Sequence, residues 1–432
     1  MREMKDSGIE WVGKVPKIWS LKPIRALFDE VTEKNFLGTC SNALKFTYGS
    51  IVRKPNFDAD ADDYVASTIL NYTVVEPGTI MLNGLNLNFD FVSQRIGLVK
   101  EKGVITSAYM AFKPNEKHLI DSEFATYLFK AYDGCKAFHN MGGGVRKILN
   151  FNEFKKYYIP LPDLNEQHHI VDYLDTKCSE IDATAEDIQK EISLLEDYKK
   201  SVITEAVTKG LNPDAEMKDS GIEWIGKIPK HWEVIRIKNI GEYRNGLTYK
   251  PTDITDENTG ILVLRSSNIQ DGKISLKDNV YVSTFVRNEL KVKKGDILIC
   301  SRNGSRELVG KNAIIEDLQD VTFGAFMMIF RCGSPKYLYY ILNSKVFSYY
   351  LGSFFTSTIN QLTGSNFGNM KIVYVSDKLE QNKIVSYLDS KCSEIDTLIA
   401  DKKRQLDILA DYKKSLIYEY VTGKKEVPVK DF

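Results

Sequence analysis

The chain carries an internal repeat whose period is far longer than that of a solenoid protein. The segment Met4–Trp19, MKDSGIEWVGKVPKIW, returns at Met217–Trp232 as MKDSGIEWIGKIPKHW. A second pair of segments keeps nearly the same spacing: Glu166–Asp182 reads EQHHIVDYLDTKCSEID, and Glu380–Asp396 reads EQNKIVSYLDSKCSEID. Solenoid repeats are usually about 20 to 50 residues long. The duplicated unit is therefore a whole domain with its flanking helix.

Between the matched segments, residues 20–158 and 233–372 show no convincing alignment to each other. The framework is repeated, while the globular part of each copy is different. A chain of 432 residues also exceeds what one hydrophobic core usually supports. We predict a first globular domain at 1–160, a helical region at 161–212, a second globular domain at 213–375 and a C-terminal helical region at 376–425.

Each copy ends in a predicted long helix with a heptad seam, because apolar or small residues are spaced alternately by three and four. The first seam comprises Val171, Leu174, Cys178, Ile181, Ala185, Ile188, Ile192, Leu195, Val202 and Ala206. The second comprises Val385, Leu388, Cys392, Ile395, Ile399, Leu406, Leu409, Leu416 and Tyr420, with Lys402 as an interruption. A helix of about 42 to 45 residues is roughly 65 Å long, and neither helix can bury such a stripe alone. Antiparallel pairing of the two helices is the simplest arrangement; packing of each helix on its own domain, or dimerisation with another molecule, is the alternative.

The globular parts combine β-rich runs, separated by Gly and Asn turns, with helical stretches late in each domain. The predicted strands are Thr79–Leu82, Phe91–Val99, Gly260–Leu264, Asp296–Ile299 and Phe326–Arg331. The predicted helices are Asp121–Ala131 and Lys336–Leu351. The predicted fold class is α+β: two mixed globular domains of one shared fold, separated by two long helices that form an antiparallel coiled coil, with a pseudo-twofold internal repeat.

The composition points away from membranes and secretion. No run of about 18 apolar residues occurs, and the N-terminal MREMKDSGIE lacks a hydrophobic core, so we expect a cytoplasmic protein. The six cysteines form no C-x-x-C pair. Cys178 and Cys392 occupy equivalent apolar helix positions, and we expect both to be reduced core residues.

The charge balance leaves the class of partner open. The formal net charge is zero, whereas nucleic-acid-binding proteins usually carry an excess of Lys and Arg. Residues 20–155 hold 16 basic and 15 acidic side chains, and residues 233–375 hold 18 and 13. A domain can sort such charges onto opposite faces. DNA binding is compatible with this balance, and a non-DNA-binding coiled-coil scaffold is the alternative.

The sequence offers little for catalysis. Asp163, Asp175 and Lys177 imitate a nuclease pattern, but the last two fall inside the predicted long helix, and the second copy lacks the proline. The sequence contains no phosphate-binding loop, dinucleotide-binding motif or adenine-methyltransferase tetrapeptide (N-P-P-Y or D-P-P-Y). A self-sufficient enzyme is therefore disfavoured.

A metal site is not expected either. The adjacent His168 and His169 are replaced by Asn382 and Lys383 in the second copy. A metal site would need ligands of defined type and number, so surface polar residues are the better interpretation.

Three motifs, two of them in doubled order, carry a family resemblance. They are SGIEW-(V/I)-G-K-(V/I)-P-K-x-W opening each half, EQ-x-x-I-V-x-Y-L-D-x-K-C-S-E-I-D at each long helix, and KKGDILICSRNGS at Lys293–Ser305. Over essentially its whole length the chain resembles the DNA-specificity subunit of type I restriction-modification systems. The resemblance implies two target recognition domains, each reading one half of a bipartite, asymmetric DNA site. It also implies that the coiled coil acts as a ruler for the unspecific spacer.

The resemblance further implies a non-catalytic subunit that binds double-stranded DNA and docks two methyltransferase subunits and, in the larger complex, restriction subunits. We expect no cofactor on this chain and S-adenosylmethionine on the partner methyltransferase. The exposed faces of the coiled coil and the repeated Glu-Gln pairs (Glu166, Gln167, Glu380 and Gln381) are candidate docking surfaces. Helix capping and interhelical contacts are an equally good interpretation of these pairs.

DNA-contacting residues are expected in loops that follow strands, where Arg and Lys suit guanine and Asn and Gln suit adenine. In the second domain the candidates are Tyr249, Lys250, Arg265, Ser266, Ser267, Asn268, Arg302, Asn303, Ser305, Arg306, Asn360, Gln361, Thr363, Ser365 and Asn366. In the first domain they are Arg53, Lys54, Asn83, Asn86, Asn88, Arg95, Arg146 and Lys147. For each residue, an exposed loop position without a DNA role is the alternative. The repeated Trp11, Trp19, Trp224 and Trp232 belong to the framework, and we expect them to be packing residues.

Overall fold

The computed structural model describes residues 2–55, 68–89, 94–116, 118–145, 147–354 and 360–428. Its internal contacts divide the chain into two compact units. Unit 1 comprises Met1–Ile188 and Arg404–Phe432, and unit 2 comprises Gln189–Lys403. Each unit therefore contains one globular region and a segment of each long helix.

Unit 1 is built from short strands, with its helices late in the globular region. The strands are β1 (Met4–Asp6), β2 (Lys14–Pro16), β3 (Ser20–Pro23), β4 (Phe28–Glu30), β5 (Leu44–Thr47), β6 (Ser50–Arg53), β7 (Thr73–Val75), β8 (Ile80–Leu82), β9 (Ile96–Leu98), β10 (Gly103–Ile105), β11 (Met110–Pro114) and β12 (Tyr158–Leu161). The helices are α1 (Ser122–Gly134), α2 (Phe138–Met141), α3 (Phe151–Phe154) and the long α4 (Leu164–Lys209), whose last part belongs to unit 2.

The central sheet of unit 1 has the strand order β4-β11-β8-β9, and every pairing in it is antiparallel. Helix α1 covers this sheet with a buried apolar face that includes Phe124, Leu128 and Phe129. The helix begins after Asp121, whose side chain accepts hydrogen bonds from two backbone N–H groups of the first turn. The strand predicted at Phe91–Val99 is shorter: it begins at Ile96, and residues 91–93 lie outside the described part of the chain.

Unit 2 has more strands than unit 1 among the described residues. They are β13 (Met217–Asp219), β14 (Lys227–Pro229), β15 (Glu233–Arg236), β16 (Gly241–Asn245), β17 (Ile254–Thr255), β18 (Ile261–Leu264), β19 (Ile269–Gln270), β20 (Lys273–Ile274), β21 (Tyr281–Val282), β22 (Ile297–Cys300), β23 (Asn312–Ile314), β24 (Val321–Phe323), β25 (Met327–Cys332) and β26 (Lys371–Tyr374). The helices are α5 (Pro335–Leu342), α6 (Lys345–Phe354), α7 (Gly364–Asn369) and the long α8 (Lys378–Val421), whose last part belongs to unit 1.

The central sheet of unit 2 repeats the strand order of unit 1, as β16-β25-β22-β23, again with antiparallel pairing. A second sheet, β17-β21-β18-β24, contains the parallel pair β18 and β24. In both units the strand before the long helix pairs with the strand that opens the globular region: β12 with β3, and β26 with β15. The long helices α4 and α8 therefore start where the two ends of a globular region meet.

The helix predicted at Lys336–Leu351 is two helices, α5 and α6, with a break at Asn343 and Ser344. Asn343 Nδ2 donates to the carbonyl oxygen of Tyr339 at 2.7 Å, and Ser344 Oγ donates to that of Ile341 at 2.6 Å. Such side chains compete with the backbone for helical carbonyls, which explains the end of α5.

The long helices pair antiparallel in both units. In unit 1, Lys413 Nζ lies 2.6 Å from an oxygen of Asp182, and the rings of Tyr173 and Tyr420 pack with centroids 4.6 Å apart. Residue numbers thus rise along α4 as they fall along α8. The predicted pairing within the chain is confirmed for this unit.

Unit 2 shows the same arrangement with the other halves of the helices. Lys199 Nζ lies 2.6 Å from an oxygen of Asp396, and Lys402 Nζ lies 2.5 Å from an oxygen of Glu191. Lys402, which interrupts the predicted seam, is therefore in an ion pair across the helices. Near the end of α4 the predicted seam residue Val202 is half-buried and packs against the core of unit 2, while its neighbour Ile203 is fully buried there.

A tryptophan ties the opening hairpin of each unit to the first turns of a long helix. Trp19 and Trp232 are buried, and their indole N–H groups donate to Glu166 at 2.9 Å and Glu380 at 3.1 Å. Where the opposite helix ends, Gly423 and Gly210 have left-handed φ angles of 68° and 74°, as expected for the glycine that terminates a helix. A Cβ atom on Gly423 would overlap Pro16. The prediction that these tryptophans pack in the framework is confirmed.

The glutamine of each Glu-Gln pair is buried and cannot form a docking surface. Gln167 accepts a hydrogen bond from the backbone of Asp121 at 2.8 Å and donates to the carbonyl of Leu119 at 2.9 Å. Gln381 accepts from Ser334 Oγ and donates to the carbonyl of Val375, both at 2.6 Å. Asp121 and Ser334 are the N-caps of α1 and α5. Each glutamine therefore joins a long helix to the start of a helix in its own globular region.

Candidate nucleic-acid interface

The polar loops predicted in the second globular region meet beyond the ends of β22 and β24. The backbone N–H groups of Ser301 and Arg302 both donate to the carbonyl oxygen of Phe326, at 2.9 and 3.1 Å. The N–H of Leu362 donates to the carbonyl of Ser301 at 2.7 Å. We call this area the unit 2 loop surface and define it as residues 246–250, 265–268, 301–306, 324–326 and 360–366.

The loop that carries Tyr249 and Lys250 joins this surface through its backbone. Leu247 N–H donates to the carbonyl of Phe323 at 2.7 Å. A Cβ atom on Gly246 would overlap the carbonyl group of Gly324, so this close approach requires glycine. Tyr249 is half-buried and Lys250 is exposed.

The loop after β18 is joined by Asn303 Nδ2, which donates to Ser266 Oγ at 3.3 Å. Ser267 is exposed. Arg265 forms an ion pair at 2.9 Å with Asp278. Asn268 is completely buried; its side chain accepts from the backbone of Arg265 at 2.9 Å and donates to the carbonyl of Ser275 at 3.0 Å. The prediction that Asn268 contacts DNA is wrong, because its polar atoms shape the loop from inside.

The other candidates in unit 2 lie at the surface. Arg302, Ser305 and Arg306 are exposed, whereas Asn303, Gln361 and Asn366 are half-buried. Arg306 donates to the carbonyl of Gly352 at 3.4 Å, and the backbone of Asn366 donates to the N-cap Thr363 of α7. DNA contact by these residues stays a prediction.

Unit 1 has a corresponding surface made of two loops, which we call the unit 1 loop surface and define as residues 83–89, 142–145 and 147–149. The N–H of Leu149 donates to the carbonyl of Gly84 at 2.9 Å, and that of Leu87 to the carbonyl of Lys147 at 3.1 Å. Asn88 Nδ2 donates to the carbonyl of Val145 at 2.8 Å. Asn86 is exposed, while Asn83 and Asn88 are half-buried.

Arg95 lies under this surface rather than on it. Its side chain is 1% exposed and donates to the carbonyls of Asn83 at 2.9 Å and Leu85 at 2.8 Å. Its backbone N–H donates to Asp133, and burial raises the pKa of that carboxyl. The prediction that Arg95 contacts DNA is wrong, because its guanidinium is used to hold the loop carbonyls.

The remaining basic candidates of the first region are not brought together. Lys147 is half-buried, and its Nζ donates to the carbonyl of His139 at 3.3 Å. Arg53 and Lys54 are exposed at the open end of the β5–β6 hairpin, whose turn at Gly49 lies against Gln94. Arg146 lies outside the described residues.

Sequence reasoning missed the exposed aromatic residues of these surfaces. Phe326 in unit 2 is 58% exposed, and Phe89 in unit 1 is 75% exposed. Phe89 directly follows the selected residue Asn88, and a large apolar side chain in that polar loop was the available indication. Phe326 opens the predicted strand Phe326–Arg331, so nothing in the sequence indicated its exposure.

Hydrogen bonds place the two loop surfaces in register. Leu149 bonds to Gly84 as Leu362 bonds to Ser301, so Leu85 corresponds to Arg302 and Ile148 to Gln361. The residues that follow, Asn150 and Thr363, are the N-caps of α3 and α7. The same backbone arrangement therefore carries different side chains in the two units.

The sheet pairing extends this register to a third position. Leu82 pairs with Met110, and Ile299 pairs with Met328. Counting back two residues, Ala108 of unit 1 corresponds to Phe326 of unit 2.

Two further observations concern metal binding and membrane insertion. Within the described ranges, no group of three His, Cys, Asp or Glu side chains is arranged to hold a metal ion. Among the helices in the described part of the chain, none is both long and apolar enough to span a membrane.

Base sequence is read by side-chain contacts to base edges in the grooves of DNA, and the two loop surfaces present different hydrogen-bonding side chains at corresponding places. The model of the family described as the type I restriction modification DNA specificity domain matches residues 23–194 and again residues 229–407. The chain therefore belongs to this family and contains two copies of its domain.

Individual relatives agree with this assignment. The type I restriction enzyme MjaVIII specificity subunit of Methanocaldococcus jannaschii is 24% identical over 427 residues, covering 96% of this chain and 94% of the relative. The EcoKI specificity subunit of Escherichia coli is 26% identical over 210 residues, covering 46% of this chain and 44% of the relative. One solved chain, from work on complex assembly and conformational transition of the type I R-M system, has a TM-score of 0.66 at 15% identity. It covers 95% of this chain and 99% of the solved chain, and it supports the fold.

Proposed function

We propose that this chain recognises a bipartite, asymmetric DNA site, with one half read by the unit 1 loop surface and the other by the unit 2 loop surface. The observation that carries the proposal is the shared hydrogen-bond register of the two surfaces. Leu85 and Ile148 in unit 1 occupy the places of Arg302 and Gln361 in unit 2. A duplicated scaffold with different side chains at the same places suits two different half-sequences.

The division of labour within each surface follows from the chemistry of DNA. Arg302, Gln361 and Asn86 carry groups that suit base edges, whereas Ser305, Arg306 and Lys250 suit phosphates. This assignment requires only a local excess of donors, which is compatible with a net charge of zero over the whole chain.

We also propose that methyltransferase subunits dock on the long helices. An apolar pair one helical turn apart is exposed on each helix: Leu194 and Tyr198 on α4, and Ile408 and Tyr412 on α8. The two pairs occupy equivalent places in the repeat. Exposed apolar groups of this kind are suited to protein partners, and two equivalent pairs suit two copies of one partner.

In this proposal the chain is a non-catalytic subunit, and double-stranded DNA and the methyltransferase are its partners. Restriction subunits would join the same assembly. S-adenosylmethionine would be held by the methyltransferase, and the coiled coil would set the spacer between the half-sites.

The test is co-expression of this chain with its methyltransferase, followed by mapping of methylated adenines in host DNA by single-molecule sequencing. We expect a two-part asymmetric motif with a gap of fixed length. Exchange of residues 20–158 for those of a relative should change one half of the motif, and exchange of residues 233–372 should change the other. A stable complex without any motif would contradict the proposal and favour the scaffold alternative.

A further inference from the structure

Arg302 occupies a distinctive place on the unit 2 loop surface. It lies two residues after the buried strand β22, which ends at Cys300. Its backbone pairs with that of Gln361, and its N–H donates to the carbonyl of Phe326. The backbone of Arg302 is therefore held from two sides, while its side chain is exposed.

The guanidinium of Arg302 lies over the ring of Phe326, with its carbon atom 5.3 Å from the ring centroid. A cation–π contact of this kind uses the face of the guanidinium and leaves the N–H donors at its edge available. Phe326 is 58% exposed, so it orients the arginine at the surface without covering it.

Two other arginines of unit 2 are held by carboxylates. Arg265 lies 2.9 Å from Asp278, and Arg331 lies 2.6 Å from the buried Asp296. Within the ranges that the structure describes, Arg302 has no carboxylate within ion-pair distance and has the Phe326 ring instead. Its charge is therefore not compensated by a neighbouring acidic side chain.

The fold itself does not require this arginine. In unit 1 the corresponding places hold Leu85, Ala108 and Ile148, yet two features of the framework match. The hydrogen bond from Leu149 to Gly84 corresponds to that from Leu362 to Ser301, and the pairing of Leu82 with Met110 corresponds to that of Ile299 with Met328. Because the shared framework forms with apolar residues at these positions, Arg302 and Phe326 are specific to unit 2. They are placed for binding rather than for stability.

We infer that Arg302 reads a guanine in the half-site recognised by unit 2, with two guanidinium N–H groups donating to O6 and N7 in the major groove. This inference rests on the proposed DNA recognition by the unit 2 loop surface. Paired donors in a fixed fork match this edge of guanine, and such a bidentate pair discriminates against other bases by about 5- to 150-fold. Phe326 is a positioning residue that restricts the arginine to its reading orientation.

The first experiment uses the chain co-expressed with its methyltransferase and compares methylated motifs for the wild type, Arg302→Ala, Arg302→Lys and Arg287→Ala. Arg287 is exposed in unit 2 outside the loop surface, so Arg287→Ala is the charge-matched control. We expect the complex with Arg302→Ala to accept all four bases at one guanine position in one half of the methylated motif. The other half of the motif should be unchanged. Arg302→Lys should lose most of the discrimination, because a flexible ammonium lacks the fixed planar fork of donors, and Arg287→Ala should retain the wild-type motif.

The main result of a second measurement comes from the wild-type complex and therefore does not depend on how well the variants fold. The wild-type complex is titrated with duplexes in which each guanine of the mapped motif is replaced in turn by 7-deazaguanine, which lacks the N7 acceptor. Binding should weaken by about fivefold or more at one guanine of the unit 2 half, and the Arg302→Ala complex should not respond to the same replacement.

The outcomes separate the inference from the proposed function. A wild-type complex without a bipartite motif would overturn both. If the motif is present but Arg302→Ala keeps the guanine, or if no 7-deazaguanine position affects wild-type binding, the inference alone fails. A uniform loss of affinity without a change in base preference would also overturn it, because that result indicates a phosphate contact.

Discussion

The two globular regions share their backbone connections and differ in the side chains that those connections present. In both units, a residue just after the central strand β8 or β22, Gly84 or Ser301, accepts a hydrogen bond from a leucine two places before a short helix. Beside this bond, unit 1 presents Leu85 and unit 2 presents Arg302. The comparison shows that the framework constrains the position of the loops but not their chemistry. A change in recognition therefore need not disturb the fold.

The largest effect is expected from Trp19→Ala and Trp232→Ala, which test whether the framework shared by the two units depends equally on its buried tryptophan. Both side chains are almost fully buried, at 1% and 0% exposure, and truncation of such a residue costs about 3 to 5 kcal/mol. We expect each variant to raise amide hydrogen exchange in its own unit, measured by mass spectrometry.

Trp19→Phe and Trp232→Phe are the matched controls, since they keep an aromatic ring in the core, leave a smaller cavity than alanine and remove the hydrogen bond to Glu166 or Glu380. They should have smaller effects. If one alanine variant left exchange in its unit unchanged, the two frameworks would not be energetically equivalent.

A smaller effect is expected from Gln167→Leu and Gln381→Leu. Each change leaves backbone or hydroxyl partners without their buried amide, at a cost of about 1 to 3 kcal/mol. Hydrogen exchange at the first turns of α1 and α5 should rise in the respective variant. His168→Gln, at an exposed neighbouring position, should have no measurable effect; equal effects for His168→Gln and Gln167→Leu would refute the role assigned to the glutamine.

The smallest effect concerns the ion pairs between the long helices. Lys413→Ala and Lys199→Ala each remove a contact of 2.6 Å with a largely exposed aspartate, and we expect a loss of about 0.2 to 1 kcal/mol. The difference from the wild type should shrink in about 1 M salt, because screening weakens the pair. A denaturation series at two salt concentrations provides the measurement, and a loss that persists in high salt would indicate packing by the lysine stem instead.

Several elements were predictable from local patterns. The seam residues Leu174 and Leu388 are buried, and α4 and α8 have 46 and 44 residues, close to the expected length. Helical and strand periodicities are local properties, so the strand ends before Asn83 and Arg302 were also located. By contrast, the break at Asn343 depends on a hydrogen bond to Asn312 as well as on its own turn, and no periodicity indicates it.

The candidate site was only partly predictable. The sequence gives no means of separating Arg95, Asn268 and Arg302, since each is a polar residue in or near a predicted strand. Arg95 and Asn268 are buried and bond to loop carbonyls, whereas Arg302 is exposed over Phe326. Hydrogen-bonding groups satisfy whichever partners the fold brings near them, and those partners lie far away in the chain.

The sequence by itself determined that this protein is a duplication with two long amphipathic helices, and it predicted that the helices pair and that the two globular regions share a fold. Repeated identity and apolar periodicity encode these features locally. Only the tertiary structure decided which polar side chains face outward and that Leu85 and Arg302 occupy the same place. The physical reason is that burial and hydrogen-bond register depend on contacts such as that between Ser301 and Leu362, which no local pattern specifies.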